Sequence, residues 1–290
     1  MRWLVTGANG MLGTDLVDLL RSQGEDVTAA TRSRLDVTSA EAVKDAVAGH
    51  DVVVNCAAWT AVDDAEEHED EALVVNGEAP RLLARAAATG ARLVQVSTDY
   101  VFDGSAGTPY AEDAPLSPVS AYGRTKAAGE TAVREEHPGG HLVVRTAWLY
   151  GAQGGCFPKT IARVARERGE VKVVDDQVGQ PTWTADVAAT IVALVQAGAP
   201  AGTYHATSSG RCSWFDFAQQ VVVAATSAVQ VGCPTWSSTT LTSPRSRATR
   251  AIVFGKQPPC APYNQAVRTT RWPPGCSSRT AVSPAALVRP

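Results

Sequence analysis

Tyr122 and Lys126 are the residues in this chain whose types and spacing best suit acid–base work. Four positions apart, they share one face of a helix. An ammonium near a phenol favours phenolate and lowers its pKa, which makes Tyr122 a usable proton donor near neutral pH. Alone, Tyr-x-x-x-Lys is more often an ordinary surface pair, so it needs companions. Ser97-Thr98-Asp99-Tyr100 provides them, with hydroxyl, carboxylate and phenol side by side after the apolar stretch Leu93-Val94-Gln95-Val96. Such a cluster marks the carboxyl end of a strand, where open α/β sheets bind ligands.

A third group comes first in the chain, Thr6-Gly7-Ala8-Asn9-Gly10-Met11-Leu12-Gly13. Arg2-Trp3-Leu4-Val5 before it reads as a short buried strand, and residues 14–20 continue with helical spacing. Strand, glycine turn and helix in that order are the context a dinucleotide-binding fingerprint requires. Gly7 permits the tight turn, Gly10 lets the backbone approach a pyrophosphate, and Gly13 lets the helix pack on the strand it has left. Free N–H groups at the helix start then face the anion.

The elements that must position these groups follow in order. Residues 26–31 read as a second strand ending in Thr31-Arg32-Ser33-Arg34, where NAD-selecting enzymes usually place an acid. A guanidinium fork suits a 2′-phosphate, so NADPH is expected, with NADH left open. Thr38 or Ser39 caps the next helix. Residues 51–58 read as a strand buried on both faces, and the small Ala57 and Ala58 at its end leave room for a cofactor. The acidic stretch 63–71 reads as a solvated helix start, and residues 74–88 as a crossover helix. The strand from Arg92 runs through the polar cluster to Phe102, and Pro115 and Pro118 punctuate the loop before the Tyr122 helix. In the second half, helices are expected at 157–168, at 184–197 and from Ser213, and strands at 171–174 and 202–206. His205 reads as a packed strand residue.

Composition sets the outer limits. A hydrophobic content of 44% with 6% aromatics fits a helix-rich α/β protein. No apolar run approaches the ~20 residues of a membrane span. The chain enters a strand at once, which leaves no space for a signal peptide and makes cytoplasm the expected location. Six cysteines without a C-x-x-C pair read as reduced thiols, and no metal site is expected. The net charge of −3 conceals an asymmetry, because every Asp and Glu lies at or before Asp216. The eight Lys and Arg beyond it are scattered among Pro, Ser, Thr and Cys without an amphipathic pattern, so no nucleic acid is expected as partner. This composition belongs to weakly folding chain, and a shifted reading frame in the source sequence would explain it.

These motifs in this order resemble the extended short-chain dehydrogenase/reductase superfamily and, within it, the dTDP-4-dehydrorhamnose reductases. The resemblance spans roughly residues 1 to 222. It is carried by the glycine turn, Asn55-Cys56-Ala57-Ala58-Trp59-Thr60-Ala61-Val62-Asp63, Ser97-Thr98-Asp99-Tyr100-Val101-Phe102-Asp103-Gly104, Tyr122-Gly123-Arg124-Thr125-Lys126, Arg145-Thr146-Ala147-Trp148-Leu149-Tyr150-Gly151 and Asp176-Gln177-Val178-Gly179-Gln180-Pro181-Thr182. It implies a Rossmann-like doubly wound parallel sheet over residues 1–147, rejoined by a segment at about 171–206. Residues 148–290 would be mainly a substrate-binding lobe, atypical after about 223.

The resemblance further implies NADPH-dependent reduction at C4 of a dTDP-linked 4-keto-6-deoxyhexose, in the making of dTDP-L-rhamnose or a related deoxysugar, antibiotic sugars included. Tyr122 would protonate the alkoxide, Lys126 would hold the nicotinamide ribose, and Thr98 would hydrogen-bond the substrate oxygen. Gly7, Asn9, Gly10, Met11, Leu12, Arg32, Asp36, Val37, Ala57, Ala58 and Thr60 would line the cofactor. Val62, Asp63, Asp99, Tyr100 and Trp148 would face the sugar nucleotide. A homodimer is compatible with this reading. Related dehydratases place Asp-Glu after the Thr, whereas Tyr100 follows Asp99 here, so elimination lacks its base. A 4-epimerase and a non-catalytic regulatory subunit are the alternatives.

Overall fold

The computed structural model describes residues 1–227 and 249–253. In chain order it runs β1 (Arg2–Thr6), α1 (Met11–Ser22), β2 (Asp26–Ala30), α2 (Ala40–Val47), β3 (Val52–Asn55), a 3-10 turn Asp64–Glu66, α3 (Glu69–Leu73), a π-helical turn Val74–Glu78, α4 (Ala79–Ala87), β4 (Arg92–Thr98), a 3-10 turn Asp99–Val101, α5 (Ala121–Glu136), β5 (His141–Thr146), β6 (Leu149–Tyr150) and α6 (Phe157–Arg168). There follow β7 (Glu170–Val174), β8 (Val178–Gly179), β9 (Thr182–Trp183), α7 (Thr184–Gln196), β10 (Gly202–His205), β11 (Cys212–Ser213), α8 (Trp214–Ser227) and β12 (Thr249–Val253).

The chain divides into two units. The first comprises Met1–Gly154 and Thr182–Thr207. It is built on a six-stranded sheet in the order β10-β5-β4-β3-β1-β2, with every pair parallel. β3 and β5 are buried along their whole length, as strands covered by helices on both faces must be. One core packs Leu4, Val53, Leu93 and Val143 against Val43 and Val47 of α2 and Leu83, Ala84 and Ala87 of α4. Chain order reverses between β1 and β3, the crevice where a doubly wound sheet takes its ligand. A buried chain of polar side chains crosses the sheet there. Thr6 Oγ1 donates to Asn55 Oδ1 (2.6 Å), and Asn55 Nδ2 to Gln95 Oε1 (2.8 Å).

The second unit comprises Gly155–Pro181 and the described residues from Ser208 on. Its core gathers Ile161 of α6, Val171 and Val173 of β7, and Ala218 and Val222 of α8. β7 pairs antiparallel with β12, and β8 with β11. Gly169, at φ 68°, ends α6 in the left-handed conformation that suits glycine. Ser213 Oγ accepts the Asp216 N–H (3.0 Å) and Asp216 Oδ2 accepts the Ser213 N–H (3.3 Å), a reciprocal cap on α8.

Several expectations meet a different backbone. The strand expected over 51–58 stops at Asn55, and the one from Arg92 stops at Thr98, where Thr98 Oγ1 accepts the Tyr100 N–H and starts the 3-10 turn. The crossover helix expected over 74–88 opens with a π turn, and Pro80 falls in the first turn of α4. Ser39, not Thr38, caps α2. The helix expected at 184–197 forms without a side-chain cap, and the Thr184 hydroxyl at its start donates to Asp15. The segment that rejoins the sheet is Thr182–Thr207, and β7 groups with the second unit. The unusual composition expected after about 223 falls largely outside the described residues. Among the described residues no helix is long and apolar enough to cross a membrane, and no three His, Cys, Asp or Glu gather into a metal site. Cys56 is a free thiol.

Candidate active site

The glycine turn has the shape a phosphate needs. Gly7 sits at φ 61°, and a Cβ on it would lie 2.7 Å from the Ala57 nitrogen and Cys56 carbonyl carbon. A Cβ on Gly13 would lie 2.3 Å from Gly7 O, so α1 seats directly on the turn. Gly10 caps α1 without a side-chain acceptor, which leaves first-turn N–H groups free for an anion. These features fit the pyrophosphate of a dinucleotide.

The other expected cofactor residues divide by what they can offer. Leu12 is 6% exposed, so its side chain belongs to the core and only its backbone faces the turn. Asn9 and Thr60 are exposed, and Met11, Ala57 and Ala58 are half-buried. Arg32 is exposed at the end of β2. Asp36 accepts the Thr38 N–H (2.9 Å) and hydroxyl (2.6 Å), and these bonds, with the nearby Arg32 charge, hold its carboxyl below the usual range. Val37 packs toward the core.

At the carboxyl end of β4, Thr98, Asp99, Tyr100 and Tyr122 converge. Thr98 Oγ1 donates to Asp99 Oδ1 (3.0 Å), and the Thr98 hydroxyl lies near enough to the Tyr122 phenol to pull its pKa downward. The Tyr100 and Tyr122 rings meet edge to face at 5.6 Å and 77°. Burial pushes Asp99 up to about 6, against the hydrogen bonds it accepts. Burial also raises the Tyr100 phenol, and the charges of Asp99 and of the exposed Asp63 raise it further. Val62 is half-buried. Trp148, also half-buried, holds φ 46°, a left-handed conformation that a bulky residue adopts only under constraint.

Lys126 corrects one expectation. Its ammonium was expected to lower the Tyr122 pKa. Instead Nζ donates to the Val96 carbonyl oxygen (2.7 Å), and burial pushes the amine down to about 8 against the charge of Glu130. What acts on the phenol is burial, which raises it strongly, the Thr98 hydrogen bond, which lowers it, and the charges of Asp99 and Tyr100. Desolvation therefore decides, and Tyr122 is fully protonated at neutral pH. The neighbouring Cys56 thiol is pushed up to about 12 by burial, although the Lys126 charge pulls the other way.

Three supporting groups escaped the sequence reading. Ser120 Oγ caps α5 through the Gly123 N–H (3.1 Å). Asn76, inside the π turn, accepts the Trp59 N–H (2.9 Å) and donates to the Trp59 carbonyl (3.0 Å) and Thr125 Oγ1 (3.2 Å). Glu130, one turn beyond Lys126, forms a two-pronged pair with the buried Arg145 (2.9 and 2.8 Å) and bonds Arg134 (2.6 Å). The residue just before the Tyr122 helix was a readable cap signal; the other two have partners far away in sequence.

Parallel strands in this order, with a phosphate-shaped turn after the first and a phenol on the helix after the fourth, place the chain among the short-chain dehydrogenase/reductases. More narrowly, it belongs to the family described as RmlD substrate binding domain, whose model matches residues 1–253. It is 56% identical over 220 residues to a dTDP-4-dehydrorhamnose reductase of Streptomyces griseus, covering 73% of this chain and 72% of that protein. To a dTDP-4-keto-6-deoxy-D-glucose reductase of Streptomyces niveus it is 53% identical over 221 residues, covering 75% and 76%. The crystal structure of a dTDP-4-dehydrorhamnose reductase of Bacillus anthracis in complex with NADP superposes with a TM-score of 0.75 at 40% identity, covering 78% of this chain and 80% of that one.

Proposed function

We propose that this protein is an NADPH-dependent reductase of the C4 keto group of a dTDP-4-keto-6-deoxyhexose. The observation that carries the reading is the gathering of Thr98, Asp99, Tyr100 and Tyr122 at the carboxyl end of β4, in a sheet whose first strand ends in a turn shaped for a dinucleotide. The names of the relatives supply the substrate class. When bound, the nicotinamide supplies the hydride. Thr98 and Tyr122 hold the substrate oxygen, and Tyr122 O–H passes its proton to that oxygen as it becomes an alkoxide. A raised phenol pKa suits this task, because an alkoxide is more basic still and the transfer runs downhill. Fixed donors aimed at the developing charge act strongly in a site from which water is excluded. Lys126, anchored on Val96 O, keeps two N–H groups for the nicotinamide ribose.

Asp63, Asp99, Tyr100, Val62 and Trp148 would face the sugar, and the second unit is assigned to sugar-nucleotide recognition. A cytoplasmic location, a homodimeric state and a place in antibiotic deoxysugar supply complete the proposal. The test is loss of NADPH absorbance on adding a dTDP-4-keto-6-deoxyhexose, with the product's C4 configuration read by NMR. No NADPH consumption, or a keto product, would remove the reading.

Cofactor choice gives a separate prediction. Arg32→Ala should raise the KM for NADPH about tenfold while leaving that for NADH within about twofold, since a charge-assisted hydrogen bond contributes about 1.5 kcal/mol or more. Equal effects on both cofactors would detach Arg32 from the 2′-phosphate.

A further inference from the structure

From Asp63 to Glu71 stand seven acidic residues, and two of them reach the start of α5. Glu66 Oε1 accepts the backbone N–H of Ala121 at 2.8 Å. Glu69 takes Arg124 Nε and Nη2 on its two oxygens, both at 2.7 Å. Both contacts land on the first turn of α5, which carries Tyr122. The Ala121 N–H is one of the donors that a helix start cannot satisfy internally, and a carboxylate there also meets the positive end of the helix dipole. Ser120 satisfies a second such donor, but from within the same turn. Glu66 instead comes from the segment that begins at Ala57 and Thr60. Trp59 of that segment packs with Ala65, Ala72, Ala121 and Tyr122.

We infer that Glu66 is a positioning residue for Tyr122. Its carboxylate fixes the start of α5 against the 57–66 segment, and so sets where the phenol stands relative to a cofactor lying along Ala57 and Ala58. The bonded amide belongs to Ala121, the residue directly before Tyr122, so little slack intervenes. Proton donors are sensitive to displacements well below 1 Å, and the charge pair Glu69–Arg124 alone holds the helix farther along and at the surface.

The inference rests on Tyr122 as proton donor, and the experiment keeps the two apart. Glu66 is exposed enough that Glu66→Ala should fold, which its melting temperature checks. That variant should lose about tenfold in kcat, with the NADPH Kd and sugar KM within about twofold, and its solvent isotope effect on kcat should rise. Glu66→Gln keeps the acceptor oxygen and should recover turnover to within about threefold. Unchanged kcat in Glu66→Ala, loss that tracks NADPH affinity instead, or a Glu66→Gln as poor as Glu66→Ala would each overturn the positioning role. Tyr122→Phe in the same assay is the control: if it turns over normally, the proton-donor reading itself has failed.

Discussion

Tyr122→Phe should lower kcat by about 10²- to 10⁴-fold while the NADPH Kd stays within about twofold. The ring would still meet Tyr100 edge to face, and the cavity would keep its shape. Only the phenolic proton and its donor capacity would go. Hydride arriving at C4 would then build charge on an oxygen with one donor fewer and no acid at hand. Single-turnover kinetics with NADPH saturating isolates that step. Turnover within threefold of the parent would take the phenol out of the chemistry. Thr98→Val gives a companion result, a loss of about 10²-fold or more, because its hydroxyl, turned from Asp99 Oδ1, is the remaining donor proposed for the same oxygen.

Glu130→Gln should be the most destabilising conservative change in the first unit, at about 3–5 kcal/mol. Glu130 has no exposed side-chain surface and Arg145 only 2%, and Arg145 also lies 4.9 Å over the Phe102 ring. Losing the carboxylate leaves the Arg145 guanidinium buried without its counter-charge and removes the partner of Arg134. In a chain of this size the melting temperature should fall by roughly 10 °C. Removing both ends with Glu130→Leu and Arg145→Met should recover much of that loss, since the pair replaces a desolvation cost as much as it adds attraction. Acid adds a second readout. Burial raises the Glu130 pKa, but the bonds from Arg145 and the charges of Arg145 and Arg134 outweigh it and leave the group below 4.5. Its stabilising contribution is therefore complete above pH 4.5 and is lost as pH falls through the lower folded value. The gap in melting temperature between parent and Glu130→Gln should narrow over that range. A gap that stays constant with acidification would mean that packing, not charge, holds the position.

What the sequence disclosed was local. The glycine turn, α6 over Phe157–Arg168 and the Ser213 cap are written within a few neighbouring residues, and the structure keeps them. The Tyr122–Lys126 spacing was likewise readable, but the environment was not. Spacing says that two side chains share a helix face; burial and the Val96 carbonyl decide what each does there. The acidic stretch is largely exposed, as expected, but its contact with the start of α5 was not readable, because the amide that Glu66 serves lies 55 residues away. Asn76 looked like one position of a plain crossover helix, and only the π turn aims its amide at Trp59 and Thr125. Strand lengths failed where polar side chains took over from the ladder, at Asn55 and Thr98.

Cys56 at the end of β3 bears on how this enzyme class would be inhibited. A sulfur so close to the dinucleotide turn invites an electrophilic warhead, yet attack needs thiolate, and a thiol held near 12 offers almost none at physiological pH. Acrylamides and chloroacetamides should leave that position unmodified for as long as the fold is intact. Labelling there would report unfolding, and durable inhibitors must gain their residence time from reversible contacts instead.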